Sequence, residues 1–169
     1  IRATLLRDTG AAISPFNAFL IAQGLETLSL RMERHLENTK KVAEFLDKRE
    51  EVDFVQYSGL VTSPYYELAQ KYAPKGAGSV FTFELKGGRD AGIAFVDALE
   101  LFSNLANIGD VRSLVIHPAS TTHSQMGDDE LLAAGVSAGT IRLSIGLEGI
   151  SDILADLERG LFAAAAVTA

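Results

Sequence analysis

Cysteine is absent from the 169 residues, which excludes disulfides and thiolate metal sites. No apolar run approaches the roughly 18 residues that a membrane-spanning helix needs, and the expectation is a soluble, cytoplasmic protein that does not engage a membrane. Basic charge is in deficit, with 15 Lys and Arg against 22 Asp and Glu and a formal net charge of −7. Such a surface repels a phosphate backbone and argues against nucleic acid as a partner. No signal peptide is visible, and the first residue is Ile1 rather than Met, so a piece of a longer protein is expected. Repeats and low-complexity tracts are missing too, apart from Ala163 to Ala166, which read as a frayed helix end. What is present is globular in composition, 47% hydrophobic and 22% charged. A chain of this length can bury roughly 70% of its unfolded surface and so support a core.

Hydrophobic periodicity divides the chain. Ser14-Pro15 is a helix start, because Ser caps well and Pro tolerates the first helical position. The segment that follows is apolar nearly all round at Phe16, Phe19, Leu20 and Ile21, and such a helix needs cover on most sides. Gly24 is expected to end or bend it. A second helix is predicted from Glu26 to Arg49 with Leu28, Met32, Leu36, Ala43 and Leu46 inward. Glu37 with Lys41, and Glu44 with Lys48, form i,i+4 pairs on its polar side. Four strands are then predicted, at Val52–Tyr57, Ser79–Lys86, Asn104–Ile108 and Thr140–Gly146. Helices alternate with them: one opened by Ser63-Pro64, one capped by Asp90 with Ile93, Val96 and Leu99 inward, a short one at Asp128–Ala134, and a last one capped by Ser151. Strands apolar on one face only fit an α+β sheet with helices on one side, with strand direction left open.

The polar sheet face is the informative one. Arg142 interrupts an otherwise apolar strand, and a guanidinium there must be paired or must face a cavity. Two readings stand at this point: a clamp for a ligand carboxylate, or an internal ion pair with an acid such as Glu148. Other constellations carry less. Gly87-Gly88-Arg89-Asp90 joins strand to helix, but Asp90 would place its own charge where a phosphate would sit, so a plain turn is expected. His117, Ser120 and His123 share one loop without a clear third metal ligand and without a nucleophile elbow. Their bland alternative is a loop whose imidazoles and hydroxyls satisfy local backbone groups. The six lysines, at 40, 41, 48, 71, 75 and 86, lie on polar faces or near turns, and none has the apolar setting that activates an amine.

Several blocks, in this order, carry a resemblance: RDTGAAISPFNAFL from Arg7, QGLETLSLRMERH from Gln23, NIGD from Asn107, SLVIHPASTTH from Ser113 and IRLSIGLE from Ile141. Together they resemble the Cys/Met-metabolism enzymes dependent on pyridoxal 5′-phosphate (PLP), most of all the O-acetylhomoserine sulfhydrylase branch, over nearly the whole chain. The resemblance implies the small C-terminal domain of the aspartate-aminotransferase-like fold (fold type I), a four-stranded, mainly antiparallel sheet with helices on one face. Residues 1–50 would be linking helices and residues 51–169 the small domain. The N-terminal large domain, which carries PLP on a lysine, would be missing from this chain and would be its partner. A homotetramer is expected of the full-length enzyme.

The resemblance also implies roles. Arg142 matches the arginine that clamps the substrate α-carboxylate. Asn107 stands where cystathionine lyases have Ser in a Ser-Leu-Gly segment of the same site, and Thr122 matches a pocket-lining threonine. No catalytic, cofactor-binding or metal residue is expected in this chain. The implied reaction is γ-replacement in methionine biosynthesis: acetate leaves Cγ of O-acetylhomoserine, and sulfide or a thiol adds. Cystathionine γ-synthase and methionine γ-lyase are the neighbouring alternatives, and Asn107 with Phe16-Asn17 leans away from them. A free-standing binding or assembly module is the alternative of another class.

Overall fold

The computed structural model describes residues 1–10 and 12–168, and side chains among them except that of Asp128. The chain divides into two compact units, Ile1–Glu33 and Arg34–Ala169.

In the first unit a π-helical turn (Arg2–Leu6) runs into a short α1 (Arg7–Thr9) that Gly10 stops in the left-handed region at φ 65°. Helix α2 (Pro15–Glu26) begins as the sequence indicates, with the Ser14 hydroxyl accepting from the Asn17 N–H at 3.2 Å. Gly24 does not end it. None of its residues is buried, and Phe16, Phe19, Leu20 and Ile21 are each more than half exposed.

Helix α3 (Leu28–Leu46) begins later and ends earlier than predicted. Of the expected stripe, Ala43 and Leu46 are fully buried, Met32 and Leu36 partly, and Leu28 not. The face turned inward instead carries His35, Asn38 and Thr39 together with Val42. Lys41 pairs with Glu37 at 2.6 Å, whereas Glu44 is approached by Lys40 at 3.9 Å rather than by Lys48.

The second unit is built on a sheet of five strands, one more than predicted. They are β1 (Val52–Gln56), β2 (Val80–Leu85), β3 (Ser103–Asn104), β4 (Leu114–Ile116) and β5 (Thr140–Ser144), in the order β1-β2-β5-β4-β3. All neighbours are antiparallel except β3 and β4. The strand predicted at Asn104–Ile108 is confined to Ser103–Asn104, because Leu105 and Ile108 point into solvent. The extra strand, β4, is a fully buried apolar triplet without polar alternation.

Alternation along β2 and β5 sorts the two faces. Phe81, Phe83, Leu85, Ile141 and Leu143 join one core with Val42 and Leu46 of α3. Phe95 of α5 (Gly88–Ala98) and Leu157 and Leu161 of α7 (Ile150–Thr168) complete it. The inward residues of α5 are Ala91, Gly92, Phe95 and Val96; of the three expected, Val96 is buried, Leu99 just past the helix is half-buried against the core, and Ile93 is exposed. Asp90 and Ser151 lie inside the first turns of their helices rather than at the caps. Ala163–Ala166 continues α7 with Ala164 buried, and is not frayed. Two short helices, α4 (Tyr66–Tyr72) and α6 (Asp128–Ala133), complete the unit.

Helices α5 and α7 pack closely at Gly160, where an added Cβ would lie 2.8 Å from the Phe95 ring. A single carboxylate then ties α7 to the segment leaving α5. Asp156, almost fully buried, accepts from the N–H groups of Glu100 at 2.9 Å, Leu101 at 2.9 Å and Phe102 at 3.2 Å. Asp156→Ala leaves these donors without an acceptor, and a destabilisation of about 3 kcal/mol is expected from chemical denaturation, with the fold retained.

Candidate functional site

The sheet face opposite the helices floors a cavity of about 610 Å³. Strand pairing sets Thr82 beside Arg142 and Glu84 beside Thr140, so β2 and β5 present a row of polar side chains to it. Phe54 and Gln56 of β1 and Ile116 of β4 extend the floor. One wall is the turn after β4, with Pro118, Thr122 and His123; the other is Leu132 of α6 and the chain from Gly135 to Ser137. Gly135 closes α6 at φ 76°, a conformation few other residues adopt, and so directs the chain back over the sheet.

Arg142 lies in the middle of the central strand, half-buried. No hydrogen bond or ion pair engages its guanidinium among the described residues. The pairing with Glu148 weighed from the sequence does not occur. Glu148 instead accepts from the Ser113 N–H at 2.6 Å and from the Ser113 hydroxyl at 2.9 Å. The Ser113 hydroxyl in turn accepts from the Gly146 N–H at 2.9 Å. Two of the buried polar residues on α3 belong to the same arrangement: His35 Nδ1 donates to the Ile145 carbonyl at 2.6 Å, and Asn38 Nδ2 donates to the carbonyls of Gly146 at 3.0 Å and Glu148 at 3.1 Å, while the Thr39 hydroxyl donates back to the His35 carbonyl. These groups fix the exit of β5, three to six residues from Arg142. The sequence blocks that contain them mark the segments, but nothing in α3's own pattern reveals that the polar residues face inward.

The remaining expected site residues divide. Thr122 lines the cavity, its hydroxyl 2.8 Å from His123 Nδ1. Asn107 does not line it, although its neighbour Ala106 does. The Asn107 carboxamide oxygen accepts from the Ile108 N–H at 2.8 Å, and its nitrogen lies 3.4 Å from Asp110.

His117 and Ser120 hold the turn rather than face the cavity. The fully buried His117 ring donates from Nε2 to the Ala138 carbonyl at 2.7 Å, which leaves Nδ1 to accept from the Ser120 hydroxyl at 2.8 Å. The ring lies against α5 where residue 92 is Gly; a Cβ there would be 2.5 Å from Nε2. Burial lowers the imidazole pKa, and the Arg89 charge works in the same direction, against the Ala138 hydrogen bond and the Glu84 charge. No group of three or more His, Asp or Glu is placed to hold a metal ion among the described residues.

A PLP site needs a lysine inside a pocket. All six are exposed and none lines the cavity. Lys48 and Lys86 border a separate groove together with Arg49, Glu50 and Glu51, where Arg49 pairs with Glu51 at 3.1 Å and Lys86 donates to the Glu50 carbonyl at 2.7 Å. These residues do not fit the cofactor.

Residues 2–162 match the family described as Cys/Met metabolism PLP-dependent enzymes. The chain belongs to that family. An O-acetyl-L-homoserine sulfhydrylase of Corynebacterium glutamicum is 59% identical over 96% of this chain, which spans only 37% of that relative's length. A crystal structure from Campylobacter jejuni, described as an O-acetylhomoserine (thiol)-lyase with N′-pyridoxyl-lysine-5′-monophosphate, superposes with a TM-score of 0.84 at 45% identity, over 95% of this chain and 38% of that one. Cystathionine γ-synthase of Xanthomonas oryzae, solved with cystathionine, superposes with a TM-score of 0.81 at 46% identity, over 90% of this chain and 39% of that one. The fold is thus the α+β fold of fold type I PLP enzymes, and the family's cofactor is PLP.

Two outcomes are expected. Between the lowered folded pKa of His117 and the ordinary value near 6.5, the unfolded chain binds more protons than the folded one. The contribution of His117 to stability is therefore complete above about pH 6.5 and is lost as pH falls through the folded pKa. Urea unfolding at several pH values should show this slope, and His117→Asn should flatten it; an unchanged slope in the variant would count against the assignment. Second, the chain alone should hold PLP at no defined site: at stoichiometric PLP, borohydride trapping should show no preferred lysine, and mass spectrometry finding one of the six labelled well ahead of the others would show that it does fit the cofactor.

Proposed function

We propose that this chain is the substrate-carboxylate-binding domain of a PLP-dependent O-acetylhomoserine sulfhydrylase, the enzyme that replaces the acetate of O-acetylhomoserine with sulfide or a thiol to give homocysteine or methionine. The observation that carries the reading is the Arg142 guanidinium, without a hydrogen-bond or ion-pair partner among the described residues, on the central strand and open to a cavity. A planar fork on a rigid strand accepts a carboxylate through two parallel N–H···O contacts, which fixes the orientation of the amino acid as well as its position. Strand pairing on both sides of β5 holds the Cα of Arg142, and the network of His35, Asn38, Ser113 and Glu148 holds the strand's exit. Thr122 contributes a hydroxyl to the wall, and Asn107, one residue beyond the lining Ala106, is the further substrate-binding residue this reading assigns.

In this reading the domain binds and orients; it neither holds the cofactor nor moves a proton. The lysine that carries PLP lies outside this chain, in the large domain, and the full-length enzyme is a cytoplasmic homotetramer. The identity to sulfhydrylases supports the choice of nucleophile, while the likeness to a cystathionine γ-synthase keeps that reaction as the second reading. Sulfide and cysteine offered to the full-length enzyme with O-acetylhomoserine separate the two, since one gives homocysteine and the other cystathionine.

Arg142→Ala in the full-length enzyme should raise KM for the amino-acid substrate with PLP still bound. Charge-assisted hydrogen bonds contribute about 1.5–3 kcal/mol each, so kcat/KM should fall on the order of 100-fold. Arg142→Lys should recover only part of this, because a point charge does not reproduce the fork. Unchanged steady-state kinetics together with a large loss of stability would make Arg142 structural and remove the site.

A further inference from the structure

One carboxylate, Glu84, lines the same cavity as Arg142. Strand register makes the two diagonal neighbours on one sheet face, since Thr82 opposes Arg142 and Glu84 opposes Thr140. Such diagonal positions are about 7–8 Å apart at Cα, within reach of long side chains. Both side chains are half-buried, and opposite charges so placed attract. Yet they do not pair. Glu84 turns away to the segment just before β5, where Oε2 accepts from the hydroxyls of Ser137 and Thr140, the latter at 2.9 Å, and Oε1 accepts from the Gly139 N–H at 3.2 Å. Close approach of that segment depends on glycine, because a Cβ at Gly139 would lie 2.7 Å from Oε1 and 2.5 Å from the Leu85 carbonyl oxygen. Three donors thus occupy both oxygens of the acid best placed to neutralise Arg142.

We propose that Glu84 is a caged competitor of the substrate: Ser137, Gly139 and Thr140 hold its carboxylate off Arg142, so that the guanidinium remains available to a ligand carboxylate. This inference rests on the reading of Arg142 as the carboxylate site. Ser137 and Thr140 are positioning residues in it, acting on substrate binding through Glu84. Released from the cage, Glu84 would occupy the guanidinium as an intramolecular carboxylate and raise the concentration of substrate needed to displace it.

The test uses the full-length enzyme. Removing the cage hydroxyls with S137A/T140V should raise KM for the amino-acid substrate roughly three- to fivefold, the upper part of the range expected of a partly exposed ion pair that must be broken, with kcat changed by less than about twofold. The same pair of substitutions in the E84Q background should change KM by less than about twofold, since the amide carries no charge to compete. If the double variant does not fold, as judged by its melting temperature and bound-cofactor absorbance, T140V and S137A are measured singly in both backgrounds. A rise in KM that persists in the E84Q background, or no rise at all, overturns the caged-competitor role. R142A separates this from failure of the underlying reading: a normal KM in R142A removes the carboxylate site itself, whereas a raised KM in R142A beside a Glu84-independent cage effect removes only the inference made here.

Discussion

The antiparallel pairing of β2 with β5 fixes Phe83 opposite Ile141 on one face and Thr82 opposite Arg142 on the other. Because strand side chains alternate with a period of two, these placements are not independent. A register slip of one residue would drive a guanidinium into a core lined by Phe83 and Phe95 and expose Leu143 to the cavity. The apolar core therefore does more than stabilise the sheet: burial of Phe81, Phe83, Ile141 and Leu143 locks the register that presents the polar row. The cost of burying an unpaired charge makes the alternative arrangement strongly unfavourable.

Local patterns revealed the parts of the fold whose signals are local. The alternation of β2 and β5, the Ser14 cap and the stripe of α7 all carry their information within a few residues, and the structure follows them. Where the reading went astray, the deciding contact lies far away in sequence. Leu114–Ile116 shows no alternation because it is buried on both faces, and so it did not look like a strand. Leu105 and Ile108 supplied apolar character to a segment that the structure leaves exposed. The buried His35, Asn38 and Thr39 look like a solvated helix face until the carbonyls of the Ile145–Glu148 segment are brought against His35 and Asn38.

The site divides in the same way. Arg142 was visible because a charge in the middle of an apolar strand is a local contradiction, and Thr122 through a motif. That the Arg142 guanidinium lacks a protein partner was not visible, because it depends on where two acids go. Glu148 is taken by Ser113, and Glu84 by Ser137, Gly139 and Thr140. Both diversions join segments more than thirty residues apart. The hydrogen bonds that hold these two carboxylates elsewhere leave neither of them on Arg142.

The strand order β1-β2-β5-β4-β3 also has a bearing on synthesis. The middle strand is the last to be made, so a nascent chain holds the β1–β2 hairpin and the β3–β4 pair as two separate fragments, each with an open edge. Open edges recruit other strands, and pairings distant in sequence form slowly. Closure waits for residues 140–144, and when they arrive the two half-sheets, the hydrophobic interior and the row carrying Arg142 come into being together. Emergence from the ribosome thus completes the sheet and its polar row in a single event.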